Sequence, residues 1–165
     1  SLDFDGEFFQ YDKACISPKP YSSHLPLWIG GSSEVAMRRV ARYGTGWIGG
    51  LDPPEQAGIM VRGIKSALLE TGRQIDDDHY GASFSFRFGH AEEPVAQRAV
   101  KALQQRLGKD PGPFLVIGDA AAIVARIQGY IQAGCSKFVL LPIASDDRDV
   151  MIQTQRLIDE VLPAF

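Results

Sequence analysis

The chain has 165 residues, a net charge of −3, 45% hydrophobic and 22% charged residues, enough for one globular domain with a real core. No lysine or arginine block stands out, so nucleic acid and membrane surfaces are not expected partners, and no apolar run is long enough to span a bilayer. Cys15 and Cys135 lie far apart and read as free thiols of a cytoplasmic protein, with no secretory leader visible, while His24, His79 and His90 share no metal-ligand spacing, so no metal is expected.

Residues 1–25 read as an irregular or hairpin-like lead-in to a single domain over 1–165. FDGEFFQYD holds an Asp-Gly turn signal among aromatics, and SPKPYSSHLP carries three prolines in ten residues, which bars a helix interior or central strand. Leu27 to Ile29 then read as a short strand. Ser33 to Tyr43 read as a helix, with Ser32 or Ser33 as N-cap and Ala36, Met37, Val40 and Ala41 inward. Gly44 is expected to close it.

Gly46 to Ile48 form a second strand. Pro53-Pro54 open a long helix to about Thr71, with Met60, Ile64, Ala67 and Leu68 inward and Gly72 at its end. Ala82 to Phe88 alternate around Phe84, Phe86 and Phe88, a third strand. Glu92 to Leu107 read as a helix striped by Val95, Ala99, Val100 and Leu103. GKDPGPF reads as a loop. GDAAAIVARIQGYIQAGCSKFVLL reads as a helix followed by a fourth strand over Phe138 to Leu141. Asp146 to Leu162 read as a last helix, with Val150, Leu157, Ile158, Val161 and Leu162 inward.

Strand followed by helix, four times, predicts an α/β fold of parallel strands, because parallel strands need crossovers and helices serve as them. An open α/β sheet and part of an eight-stranded barrel both fit that order.

The string PKPYSSHLPLWIGGSSEVAMRRVARYGTGW resembles the signature of the luciferase-like flavin and deazaflavin oxidoreductases. That family runs a Pro-Lys-Pro loop, a strand ending Gly-Gly, a helix, and a Gly-Asp-Gly-Trp-like strand; Thr45 stands here in the place of the aspartate. FDGEFFQYDKACISPKP, GDAAAIVARIQGYIQAGCSKFVLL and VLPAF resemble further family segments, so the likeness covers nearly the whole chain. It implies a partial (β/α)8 barrel, the second half with about four parallel strands and outer helices. A complete barrel needs about 250 residues.

Glycines and hydroxyls between a strand and a helix can set free backbone amides against an anion, since glycine permits close approach and the helix N-terminus favours negative charge. The same residues also make an ordinary turn and N-cap. The resemblance supplies a ligand, implying that Gly30, Gly31, Ser32 and Ser33 hold the phosphate of FMN or of the deazaflavin coenzyme F420. Under the barrel analogy Trp47 sits near the rim, as a wall of the cofactor pocket or as a packing residue. Arg87 points away from the phenylalanine stripe, toward a ligand anion or an ion pair. His90 follows the third strand on the rim side, His79 stands in a polar loop beside Asp76-Asp77-Asp78, His24 precedes the first strand, and Cys135 reads as core.

The resemblance thus implies a flavin- or deazaflavin-dependent oxidoreductase of the luciferase-like monooxygenase type acting on a small organic substrate. Its catalytic residues are not identified in this half, and the isolated chain is expected to be inactive. The alternative is a non-catalytic, structural fragment. Cut strand edges and an apolar inner face (some of Leu27, Ile29, Phe84 and Phe86, with Val139 and Leu141) predict either a homodimer or a complementary N-terminal half as partner.

Overall fold

The computed structural model describes residues 1–22 and 24–165; Ser23, inside the proline-rich lead-in, lies outside the described residues. The chain opens with an antiparallel hairpin, β1 (Leu2–Asp5) and β2 (Gln10–Ala14), which is almost wholly exposed and adds nothing to the core. Five parallel strands follow, interleaved with helices: β3 (Trp28–Gly30), α1 (Glu34–Tyr43), β4 (Gly46–Ile48), α2 (Pro54–Thr71), β5 (Tyr80–Phe88), α3 (Pro94–Leu107), β6 (Leu115–Gly118), α4 (Ala120–Gln132), β7 (Lys137–Pro142) and α5 (Asp147–Arg156).

The fold is α/β, a parallel sheet flanked by helices, and the sheet does not close into a barrel. β5 is its axis. The carbonyls of His79 and Gly81 accept from the β4 side, and those of Tyr80 and Phe86 accept from the β7 side. β6 runs beside the end of β5, Ser85 to Phe88, on the edge that β4 uses at its start. β3 pairs only with β4, and β7 pairs only with β5, so each leaves one edge unpaired among the described residues.

Local chemistry accounts for most element boundaries. Ser33 caps α1 by accepting from the Ala36 amide, and Asp119 and Asp146 cap α4 and α5 in the same way. Gly72 and Gly108 end α2 and α3 in the left-handed conformation that glycine alone adopts cheaply. Gly44 ends α1 differently, at φ −73°, with its amide donating to the Val40 carbonyl.

β6 is the main departure from the sequence expectation of four strands. Leu115 to Gly118 is only four residues long and runs straight into the Asp119 cap, so its apolar run merges with the helix signal behind it. GKDPGPF is accordingly not all loop: Gly112–Phe114 form a short helical turn that buries Phe114. The last helix also stops short. α5 ends at Arg156, widens into a π-type turn over Leu157–Val161, and tightens again over Leu162–Ala164. Of the expected inner stripe there, Val161 is buried while Ile158 and Leu162 are exposed. In α3 the buried residue is Ala96, and the expected stripe is at best half-covered.

The core lies between the sheet and α1, α2 and α4, and contains Trp47, Tyr80, Phe84, Phe86, Met60, Ile64, Ile123 and Tyr130. Phe84 stacks on Tyr130 with ring centroids 5.6 Å apart. The inner-face expectation is therefore corrected. Paired residues of parallel strands point the same way, and Phe84 pairs with Leu140 and Phe86 with Pro142 on the helix-covered face. The opposite face carries Gly81, Ser83, Ser85 and Arg87 beside Lys137, Val139 and Leu141.

Candidate functional site

The loop between β3 and α1 is built around Gly31. Its φ is +106°, and a Cβ there would stand 3.1 Å from that of Ala36, so both backbone and space require glycine. The Gly31 carbonyl accepts from the indole Nε1 of Trp47 at 2.9 Å. Trp47 is fully buried, so it supports the loop from inside and presents no ring face at the surface. The Ser33 hydroxyl oxygen accepts from the Ala36 amide. The first-turn amides of α1 have no intrahelical acceptor, and the positive end of the helix dipole faces the same exposed loop. The Glu34 carboxylate in that turn is turned onto Arg38 at 2.9 Å.

The N-terminal end of β3, the far end from that loop, is fixed by Thr45. Its hydroxyl accepts from the Leu27 amide at 2.7 Å, and its own amide donates to the Leu27 carbonyl at 2.8 Å. His79 Nδ1 lies 2.8 Å from the Thr45 carbonyl and its ring lies against Trp28 at 5.3 Å.

Asp52, which the sequence pattern gives no reason to single out, reaches the loop from the far end of β4. Its Oδ2 accepts from the Ser32 hydroxyl at 2.5 Å, and the residue is 8% exposed. The buried Tyr130 hydroxyl donates to the Asp52 backbone carbonyl at 2.7 Å and holds this turn in place. Burial pushes the Tyr130 phenol up to about 12, so it stays a neutral donor at any working pH. Gly30, Gly31, Ser32 and Ser33 therefore form one exposed loop at the C-terminal end of a parallel strand, backed by Trp47 and Asp52. An anion there would meet amide donors on a preorganised backbone.

The model of the luciferase-like monooxygenase family matches residues 1–112. The chain belongs to that family. Pyrimidine monooxygenase RutA of Allorhizobium ampelinum is 40% identical, over 83% of this chain and 40% of its own. Among solved structures, an F420-dependent secondary alcohol dehydrogenase bound to an F420-acetone adduct superposes with a TM-score of 0.76 at 17% identity, over 99% of this chain and 55% of that one. The oxygenating constituent of 3,6-diketocamphane monooxygenase, from a Pseudomonas putida plasmid and in complex with FMN, superposes with a TM-score of 0.66 at 12% identity, over 98% and 57%. The chain thus spans about half the length of these luciferase-like relatives.

The remaining candidates fall away from the Gly31 loop. Arg87 is 10% exposed in its side chain and is engaged through four hydrogen bonds: it donates to Glu93 at 2.6 and 2.9 Å, to Asp149 at 2.8 Å and to the Ile143 carbonyl at 2.8 Å. It ties β5 to α3 and α5 rather than waiting for an anion. His79 lies at the N-terminal end of the sheet, with Thr45. Asp76, Asp78 and His79 come together there, but Asp78 is engaged by Lys137 at 2.7 Å. His90 is exposed beyond β5 and its backbone amide donates to Glu93. His24 is exposed ahead of β3. Cys135 is buried, and burial pushes its thiol up to about 11. No helix among the described residues is long and apolar enough to cross a membrane.

Proposed function

We propose that this chain is the cofactor-phosphate half of a luciferase-like oxidoreductase, and that Gly30, Gly31, Ser32 and Ser33 receive the phosphate of FMN or coenzyme F420. The observation that carries the reading is the Gly31 loop itself, a positive-φ glycine whose carbonyl is pinned by buried Trp47 in front of a capped helix. A Cβ at Gly31 would crowd that of Ala36 in the first turn of α1 and strain the positive φ, and the donors on offer are backbone amides, which suit a phosphate. The bound cofactor supplies the hydride or oxygen chemistry. The residues of this chain bind and orient it: the loop fixes the phosphate, α1 adds its dipole, and Trp47 keeps the loop in shape without touching the ring.

The substrate side of the site belongs to groups around a whole barrel rim, which only a complete set of strands assembles. The unpaired edges of β3 and β7 support a partner that supplies the rest, and the length of the relatives favours a complementary half over a second copy. The isolated chain is therefore expected to bind cofactor weakly and to show no turnover. Fluorescence titration with FMN and F420 tests the assignment. Saturable quenching by the wild type, lost in Gly31→Val, is expected; an affinity unchanged by that substitution would overturn it.

A further inference from the structure

We propose that the β1–β2 hairpin is an arm that docks on the exposed face of α1 in a second copy of this chain, each copy giving its hairpin to the other across a two-fold axis. The contact uses neither a cofactor nor the free edges of β3 and β7. It is therefore independent of the phosphate reading and compatible with a complementary half.

The hairpin stands apart from the domain. Among the described residues no hydrogen bond, ion pair or ring contact joins residues 1–14 to the rest of the chain. Strand alternation sorts its side chains onto two faces. Phe4 pairs with Tyr11 across the strands, with rings 6.2 Å apart, and Phe9 stacks on Tyr11 at 6.4 Å. These three rings make one aromatic face, on which Phe4 is 50% and Phe9 65% exposed. Asp3, Asp5 and Asp12 alternate with them, and Glu7 sits at the tip, so carboxylates border the aromatics. A lone two-stranded hairpin is marginal in water, and an aromatic face left in solvent marks an interaction surface.

Charge selects the occupant. The hairpin sets four carboxylates against Lys13 alone, so two hairpins face to face repel. The complement is a surface that joins cations to exposed apolar side chains, and α1 has it. Val35, Arg39, Arg42 and Tyr43 are all exposed and recur at helical spacing along one stripe. Among the described residues neither Arg39 nor Arg42 pairs with a carboxylate, and Arg42 lies over the Tyr43 ring at 5.0 Å. The other helices lack the combination. α3 has cations but no exposed large apolar side chain, α2 and α5 balance their cations with acids, and the one cation of α4, Arg126, donates to the Pro113 carbonyl.

In the docked pair the guanidinium groups of Arg39 and Arg42 lie against aromatic rings at the centre and meet carboxylates at the border. The two-fold axis makes the contact twice, leaves no arm unused and closes the assembly at two copies.

The test is sedimentation of the full chain at micromolar concentration and pH 7. The wild type is expected to be a dimer whose dissociation constant rises about tenfold between low salt and about 0.5 M salt, where exposed charges are screened. Glu7→Lys with Asp12→Lys reverses the hairpin, and Arg39→Glu with Arg42→Glu reverses α1, all on exposed side chains. Each of these variants alone is expected to be a monomer. Mixed in equal amounts they are expected to form a dimer again, because one contact is then native and the other has both signs reversed. Phe9→Ser is expected to weaken the dimer in low and high salt alike, and it decides the matter with the wild-type salt response if a reversed variant fails to fold. A monomeric wild type, a dimer unmoved by the reversals or by Phe9→Ser, or reversed variants that stay monomeric when mixed overturns the proposal.

Discussion

The indole of Trp47 donates its only hydrogen bond to the carbonyl of Gly31, 2.9 Å away, from a position with no solvent exposure. A core side chain thereby sets the geometry of a surface loop. Trp47→Phe is expected to leave that carbonyl without its donor and a void beneath it, at a cost of about 2–4 kcal/mol. Urea denaturation of the variant should show the loss, and phosphate affinity should fall with it. A variant as stable as the wild type would separate the loop from its proposed support.

Arg87 gathers two carboxylates and a carbonyl on the inner side of β5. Removing the guanidinium by Arg87→Met leaves Glu93 and Asp149 without their cation, and roughly 3 kcal/mol is expected to go, the low end for buried pairs because solvent still reaches Glu93. The loss should appear as a lowered urea midpoint at pH 7.

The same cluster gives stability a pH dependence of known sign. The His90 amide and the Arg87 guanidinium hold the Glu93 carboxyl below its ordinary range. Burial works to raise Asp149, but the Ser145 amide and Arg87 outweigh it and leave that carboxyl lowered too. Carboxyls depressed in the folded state contribute stability that is complete above their unfolded values, near pH 4, and is lost as pH falls through the folded ones. Urea midpoints measured from pH 6 to pH 2 should drop across that window in the wild type, and less steeply in Arg87→Met.

Gly46 faces Trp28 so closely that a Cβ would lie 2.7 Å from the indole and 3.0 Å from the His79 carbonyl. Gly46→Ala must push the ring off or part β4 from β5. About 1–3 kcal/mol of destabilisation is expected, read as a lower melting temperature. No change would mean that Trp28 moves freely.

The two thiols should differ sharply in reactivity. Cys15 is exposed, while Cys135 is buried with its thiol pushed up to about 11. Iodoacetamide at pH 8 is expected to modify one cysteine in the native protein and both in urea, counted by mass spectrometry.

Strong local signals carried the fold into view. Gly46–Ile48 and the Pro54 to Thr71 helix are legible because glycines and prolines bound them, and the inward residues of α2 recur at helical spacing. β6 was hidden by its four residues and by the helix cap adjoining it. Alternation shows that Phe84 and Phe86 share a face, but which face meets the helices is decided only by pairing with β7. At the site, Gly31 and Ser33 stand in a recognisable pattern. Asp52, 20 residues from Ser32, and Tyr130, 78 residues from Asp52, meet the loop only through tertiary packing, which no spacing rule encodes. Trp47 stands at a strand end in the sequence, and its burial follows from packing alone.

The most direct test of the central claim is to map FMN onto the assigned backbone amides of the protein by NMR. The account predicts that the largest shifts fall on Gly31 to Val35, with smaller ones near Asp52, and that Gly31→Val abolishes them. Shifts centred elsewhere, on the hollow beside His90 and Arg156 or on the inner face around Val139, would contradict it.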